Sequence, residues 1–194
     1  PVVFAVLDSP FGDLLTLSIA APKLDPLGVS GDIHGTLLVG GSIKLPELSA
    51  DLRSARLAAK GFGEIRGLEL DARLGDGKQG ALSGKLRLAG LDLPDGGTLL
   101  NKLLLDAEGV RSAHRLRGQI SLPGSRDLRL LLEGGLATPA GGMVWTGTLN
   151  ELSVSSRVDK ARPFVRLGGA LPLQLAAERV SAGPAELLGS GWSA

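Results

Sequence analysis

Aliphatic and polar residues alternate along much of the chain with a period of two. The segment from Leu68 to Leu74 reads Leu-Glu-Leu-Asp-Ala-Arg-Leu, and the segment from Leu82 to Leu88 repeats the alternation after a glycine-rich stretch at Gly75 to Gly80. Successive side chains of a β-strand point to opposite faces, so this spacing puts leucine on one face and charge on the other. The two segments therefore predict a β-hairpin.

The same pattern recurs along the chain and predicts about ten or eleven strands. Further strands are expected at Leu14 to Ile19, Ile33 to Val39, Leu48 to Leu52, Leu103 to Glu108, Leu116 to Leu122, Leu128 to Glu133, Trp145 to Leu149, Leu152 to Val154 and Leu171 to Leu175. Turns are expected at Pro123 to Ser125 and at Thr138 to Gly142. A helix needs apolar residues at i, i+3 and i+4, and only the short segments 159–164 and 184–188 are compatible with one.

Nearly every predicted strand has one aliphatic face, and no second set of elements is patterned to cover it. We therefore expect an all-β fold with little helix, in which a long, curled, mainly antiparallel sheet forms an elongated open groove. A sandwich or a closed barrel would instead hide the aliphatic face by folding the sheet on itself. Because the chain starts without Met and enters a strand-like pattern at once, residues 1–194 are expected to be a single continuous segment of a longer protein.

Composition narrows the chemistry that this face can perform. Leucine is abundant, whereas the chain has no Tyr, four Phe and two Trp, so its apolar surface is uniform and aliphatic. The 21 basic and 20 acidic residues are dispersed and give a net charge of +1, which does not supply the basic surface that nucleic acid requires. There is no Cys for a disulfide or a thiolate site, and no apolar run approaches the roughly 18 residues of a membrane-spanning helix.

Motifs for catalysis are not found in the sequence. The segment Gly28 to Asp32 lacks the last glycine of a nucleophile elbow, and Gly75 to Gly80 lacks the Ser or Thr of a phosphate loop. His34 and His114 have no carboxylate motif beside them, so we expect each to be a strand residue with a local hydrogen bond. We expect no enzymatic activity, no metal and no cofactor.

The aliphatic face is the candidate site, with acyl chains as its ligand. Burying an acyl chain gains about 0.8 kcal/mol per methylene, and a wall without polar atoms lets the chain slide without breaking hydrogen bonds. Each lining residue is also compatible with ordinary sheet core, and Trp145 with a packing plug at the groove edge. The residues expected to line the groove are Leu68, Leu70, Leu86, Leu88, Leu103, Leu105, Leu116, Ile120, Leu130, Leu132, Trp145, Leu149, Leu173 and Leu175.

An ordered set of residues between Leu103 and Val154 carries a family likeness. Gly109 precedes a strand that begins His114-Arg-Leu, an aliphatic strand ends at Gly134, and the segment Trp145 to Leu152 reads Trp-Thr-Gly-Thr-Leu-Asn-Glu-Leu. This succession resembles the TamB family of the AsmA-like superfamily. The alternating leucine strands and glycine turns on either side are similar to that family over most of the chain.

The resemblance implies a protein of the Gram-negative periplasm, anchored in the inner membrane by an N-terminal helix that this chain does not contain. It implies a β-taco-like sheet whose hydrophobic groove conducts phospholipids between the inner and outer membranes. It also implies cooperation with the outer-membrane barrel TamA in assembling outer-membrane proteins. Two alternatives stay open: a chaperone-like surface that holds unfolded outer-membrane clients by strand addition, and a closed structural β-stalk.

Overall fold

The fold consists of β-strands throughout the part of the chain that the structure describes. The structure is a computed structural model that describes residues 3–8, 15–21, 29–42, 45–59, 61–137, 143–158, 163–176, 178–189 and 192–193. These residues form 18 strands and no helix. The strands are β1 (Val3–Asp8), β2 (Leu15–Ala21), β3 (Val29–Gly31), β4 (Ile33–Ser42), β5 (Leu45–Ala59), β6 (Gly63–Leu74), β7 (Ala81–Leu88), β8 (Gly90–Asp92), β9 (Thr98–Leu100), β10 (Lys102–Val110), β11 (Ala113–Leu122), β12 (Arg126–Ala137), β13 (Val144–Ser156), β14 (Pro163–Leu167), β15 (Leu171–Ala176), β16 (Arg179–Ala182), β17 (Leu187–Gly189) and β18 (Trp192–Ser193).

All of these strands belong to one antiparallel sheet. Its backbone is a row of strands in chain order, β1, β2, β4, β5, β6, β7, β10, β11, β12, β13, β15 and β16. At about 4.8 Å between neighbours, this row is roughly 50 Å long. No pairing between the described strands joins the first end of the row to the last, so the sheet is open and is not a barrel.

A line of kinks crosses the sheet near one side of its strands. Asp32 separates β3 from β4, Ala89 separates β7 from β8, and Asn101 separates β9 from β10. The pairing of β5 with β6 skips Ala55 and Gly67 at the same level. Extra residues in a strand bend it and increase its twist. Five neighbouring strands therefore depart from regular strand geometry at one level of the sheet.

The kinks leave the aliphatic side chains on one face. A regular strand would turn its aliphatic residues to the other face after an odd step in sequence, but the extra residue at each kink restores the alternation. Beyond the kinks, the aliphatic residues of neighbouring strands again share one face, because Ile65 lies opposite Leu91 and Leu91 lies opposite Leu100. The three-residue steps are Ile65 to Leu68 on β6, Leu88 to Leu91 on β7 and β8, and Leu100 to Leu103 on β9 and β10.

The described part of the chain contains very little buried apolar core. Ala50, Leu88 and Leu100 are its only buried hydrophobic side chains, with 4 to 8% of their surface exposed. The chain exposes 12070 Å² in all, whereas a compact monomer of its mass exposes about 8,700 Å². Among the described elements, no second layer covers the aliphatic face of the sheet.

The predicted all-β class and the open antiparallel sheet are confirmed. There are more strands than the ten or eleven expected, partly because kinks divide long strands into two. The predicted turns at 75–80 and 123–125 are present, while the turn at 138–142 lies outside the described residues. The segments expected at Trp145 to Leu149 and Leu152 to Val154 form one strand, β13, with a bulge between them.

The short helix considered at 184–188 is wrong. Residues 184–186 are irregular, and the segment continues directly into the strand β17. Gly168 N donates a hydrogen bond to Glu186 O at 2.8 Å, and Leu167 pairs with Leu187, so pairing with β14 overrides the local preference. Of the other candidate helix, only Pro163 and Phe164 are described, and they begin β14.

Candidate functional site

A row of leucine side chains crosses the middle of the sheet at right angles to the strands. Its members, which lie directly opposite one another on seven neighbouring strands, are Leu52, Leu70, Leu86, Leu105, Gly118, Leu130 and Leu152. The six leucines are half-buried. A Cβ built on Gly118 would lie 2.6 Å from Leu130 Cγ and 3.0 Å from Leu105 Cδ2. Leucines from both neighbouring strands therefore cover this glycine, which shows that they share one face.

Two further rows run parallel to the first and complete a surface that we call the aliphatic face. One consists of Leu37, Ala50, Ala72, Gly84, Ala107, Leu116, Leu132, Leu149 and Leu171. The other consists of Leu88, Leu103, Ile120, Leu128, Val154 and Val165. No charged residue occurs in the three rows.

All fourteen residues predicted to line a groove lie on the aliphatic face by their register. Leu70, Leu86, Leu105 and Leu130 belong to the first row, Leu116, Leu132 and Leu149 to the second, and Leu88, Leu103 and Ile120 to the third. Leu68 is two residues from Leu70 on β6, and Leu173 is two residues from Leu171 on β15. Trp145 pairs with Leu175 at the edge of the face, where Leu175 is 39% exposed. Their contact with lipid stays a prediction.

Small residues form a shallow furrow within the aliphatic face. Ala50, Ala72, Gly84 and Ala107 lie opposite one another on β5, β6, β7 and β10. A Cβ built on Gly84 would make only ordinary contacts, 3.7 Å from Ala107 Cβ and 3.8 Å from Ala72 Cβ. Larger leucine side chains lie two residues away on both sides along β5, β6 and β7, and on one side along β10. The furrow therefore crosses four strands, and leucine borders it on both sides on three of them.

The sequence prediction missed a further aliphatic row beyond the line of kinks. Leu57, Ile65, Leu91 and Leu100 lie opposite one another there. Their positions do not continue the alternation of the aliphatic residues before the kink, so a search for a strict period of two does not find them. The step of three residues between neighbouring aliphatic positions is the sequence signal that would have found them.

Trp145 and His114 form a hydrogen-bonded pair on the aliphatic face. Trp145 Nε1 donates to His114 Nε2 at 2.8 Å, and His114 Nδ1 lies 3.2 Å from Val110 O. The ring centroids are 6.4 Å apart with an interplanar angle of 49°. The indole covers bare backbone, because a Cβ on Gly134 would lie 2.6 Å from Trp145 Cζ2 and one on Gly147 would lie 2.7 Å from Trp145 Cη2.

The same pair explains why the residues of the family likeness occur in a fixed order. His114 lies opposite Gly134, and Gly134 lies opposite Gly147, on three neighbouring strands. On the other neighbouring strand, β10, Gly109 lies opposite His114 and has a φ of 136°. Residues other than glycine rarely adopt this backbone conformation. The glycines leave the space that the indole and imidazole rings occupy.

The opposite face of the sheet carries the charges. Arg117 Nη1 is 2.8 Å from Glu108 Oε1, and Arg87 Nη1 is 3.4 Å from Glu69 Oε2. These pairs are exposed, so each contributes little to stability. His34 is also exposed, with its Nδ1 3.6 Å from a carboxylate oxygen of Asp32. No group of three or more potential metal ligands occurs among the described residues.

The turn between β10 and β11 is fixed at the rim of the sheet by Arg111. Its side chain is 1% exposed, and Nη2 donates to Gly75 O at 3.2 Å. Its backbone N donates to Gly80 O and its carbonyl accepts from Leu136 N, both at 2.8 Å. The turn is thereby bonded to the loop before β7 and to the end of β12.

Comparison with known proteins identifies a protein family for this chain but no individual protein that matches it. The family model for the N-terminal domain of TamB matches residues 13–175, which includes β2 to β14 and nearly all of β15. No curated protein and no solved structure matches. No helix in the described ranges is long and apolar enough to cross a membrane. The family implies a protein of the Gram-negative cell envelope. Because the match covers most of the length of the chain, this chain belongs to the TamB family.

Proposed function

We propose that this chain is a segment of a periplasmic bridge whose hydrophobic groove conducts phospholipids between the inner and outer membranes. The observation that carries the proposal is the aliphatic face itself. It continues in register over nine described strands from β4 to β15 without a charged side chain in its rows. Most of its leucines are only half-buried. An apolar surface of this extent favours an apolar ligand.

The dimensions of the face suit acyl chains. Nine strands about 4.8 Å apart extend roughly 40 Å. The hydrocarbon core of a bilayer is about 30 Å thick and holds two layers of acyl chains, so one chain occupies about 15 Å of length. The face therefore has room for two or three acyl chains in file, which a conduit needs if lipids are to follow one another.

The furrow gives the acyl chain a course across the strands. Small side chains at Ala72, Gly84 and Ala107 leave a depression, and leucine ridges on both sides contact the flanks of the chain. Burial of each methylene gains about 0.8 kcal/mol. Because the furrow side chains have no polar atoms, sliding exchanges equivalent contacts and breaks no hydrogen bond. This low specificity suits transport and needs no catalytic group, so we propose a protein without enzymatic activity.

The wider role follows from family membership and is part of the proposal. The full-length protein would be anchored in the inner membrane, would work with the outer-membrane barrel TamA, and would support the assembly of outer-membrane proteins. The closed β-stalk does not fit the open sheet of the described residues. A client-holding surface remains the alternative, since an unfolded strand could add to a sheet edge.

Site-specific photocrosslinking tests the proposal. A photoreactive residue placed at Leu86, Leu116 or Leu130, on the aliphatic face, should capture phospholipid. The same residue at Arg87 or Leu131, each adjacent in sequence but on the opposite face, should capture much less. Capture of polypeptide at the aliphatic positions would favour the client-holding alternative, and equal lipid capture on both faces would contradict the groove.

A further inference from the structure

The partners of His114 determine its protonation state. An indole N–H is a donor only, so His114 Nε2 must accept the 2.8 Å hydrogen bond from Trp145. A backbone carbonyl is an acceptor only, so Nδ1, 3.2 Å from Val110 O, must carry the proton. His114 is therefore neutral in this structure, with its proton on Nδ1. A protonated imidazole has donors on both nitrogens and cannot accept the indole N–H.

Among the described residues, the strands beside His114 place no charged side chain on its face of the sheet, as their alternation shows. On the aliphatic face its neighbours are Gly109 on β10 and Gly134 on β12, with Trp145 of β13 above them. The ionisable side chains of these strands, at Glu108, Arg115 and Glu133, alternate onto the opposite face, where Arg115 pairs with Glu133 and Glu108 with Arg117. Arg111, in the adjoining turn, reaches the carbonyl of Gly75.

We propose that His114 is a pH-sensitive positioning residue that holds the indole of Trp145 against the groove wall only while its ring is neutral. The inference rests on the proposed lipid groove. Histidine is the side chain that ordinarily changes charge between about pH 5 and pH 8. As the pH falls, a proton on Nε2 removes the bond to Trp145 and places a positive charge on the aliphatic face. The indole is released from Gly134 and Gly147, and the groove binds acyl chains less well.

The protonation state can be measured directly. In a His34→Gln variant, His114 is the sole histidine, and long-range ¹H–¹⁵N correlation spectra report which ring nitrogen carries the proton. Across spectra recorded between about pH 8 and about pH 5, we expect the Nδ1–H form wherever the hydrogen bond to Trp145 is intact and a doubly protonated ring wherever acid has broken it. In a separate Trp192→Phe variant, the fluorescence of Trp145 should change over the same range. The Nε2–H form at high pH would overturn the inference.

The effect on lipid binding needs a probe whose own charge does not change. Pyrene-labelled phosphatidylcholine meets this requirement, and its binding should weaken about fivefold between about pH 8 and pH 5, the equivalent of one lost hydrogen bond. His114→Gln offers an amide oxygen to the indole and does not titrate, so it should bind equally well at both pH values. His114→Leu removes the acceptor and should bind weakly and independently of pH.

The outcomes separate this inference from the groove itself. Lipid binding by the unmodified chain that is equal at both pH values would overturn the role of His114 and leave the groove proposal intact. The same holds if His114→Gln keeps the full pH dependence, because the titrating group would then lie elsewhere. Absence of lipid binding by every variant at both pH values would contradict the groove, and the proton location from the spectra would still decide the state of His114.

Discussion

Replacing Leu130 by Asp puts a single charge in the middle of the aliphatic face. Leu130 lies opposite Leu152 on one side and covers Gly118 on the other, and Leu105 covers the same glycine from the next strand. It is half-buried, so the substitution removes only part of a leucine's burial. We expect the free energy of unfolding to fall by about 1 to 2 kcal/mol, below the 2 to 5 kcal/mol of a fully buried leucine truncation.

The effect on lipid binding should be larger than the effect on stability. A carboxylate facing an acyl chain must either stay charged without water or take up a proton. Protonating a carboxyl with an ordinary pKa of about 3.9 at pH 7 costs about 4 kcal/mol, which sets the upper limit. Residual water in an open groove lowers the cost to at least about 1 kcal/mol, so phospholipid affinity should fall between roughly fivefold and 1,000-fold.

The matched control is the neighbouring leucine on the other face. Leu131 is also half-buried but lies opposite Arg117 on β11 and Glu151 on β13. Leu131→Asp makes the same chemical change on the charged face and should bind labelled phospholipid like the unmodified chain. Circular dichroism and urea unfolding would establish that both variants keep the sheet. Equal loss of lipid binding in the two folded variants, or no loss at Leu130→Asp, would refute the reasoning.

Three further substitutions test other parts of the structure. Gly84→Val places its Cβ in ordinary contact with its neighbours and its methyl groups in the furrow, so lipid binding should fall about tenfold at unchanged or slightly higher stability. Ser83→Val on the opposite face should leave lipid binding unchanged, and equal binding by the two variants would show that the furrow is not used. Gly67 has a φ of 58°, and a Cβ added there would lie 2.7 Å from a neighbouring Cβ, so Gly67→Ala should lower the free energy of unfolding in urea by about 2 to 4 kcal/mol. Gly77 also has a positive φ, but nothing lies within 4 Å of an added Cβ, so Gly77→Ala should lower it by only about 1 kcal/mol. Arg111→Met should cost about 2 to 4 kcal/mol and speed proteolysis near the β10–β11 turn; an unchanged unfolding midpoint would contradict its role at the rim.

The alternation of leucine with charge was enough to predict the strands and their common face. Residues that lie directly opposite each other on neighbouring strands point to the same face, so the aliphatic positions of one strand predict which positions of the next strand share that face. This is why residues as distant in sequence as Leu70 and Leu130 could be assigned to one surface before their pairing was known. The open sheet was predictable because no other segment has the pattern needed to cover that surface.

The kinks and the His114–Trp145 pair were not predictable by the same reasoning. A kink shifts the alternation of aliphatic and polar residues by one position. By a strict period of two, Leu91 would therefore be assigned to the charged face, unless Ala89 is counted as one extra residue. The hydrogen bond joins side chains 31 positions apart in sequence, and it depends on glycines on two neighbouring strands that leave room for the indole. The candidate helix at 184–188 failed because pairing with β14 outweighs local preference.

Native mass spectrometry of the chain purified from a Gram-negative host shows directly whether the aliphatic face holds phospholipid. Mild detergent-free purification should leave phospholipid in an open aliphatic groove, so the unmodified chain should carry adducts with phospholipid masses. Those adducts should be lost from Leu130→Asp and kept by Leu131→Asp. A folded chain that carries no phospholipid, or one that carries the same amount in both variants, would contradict a lipid-conducting groove.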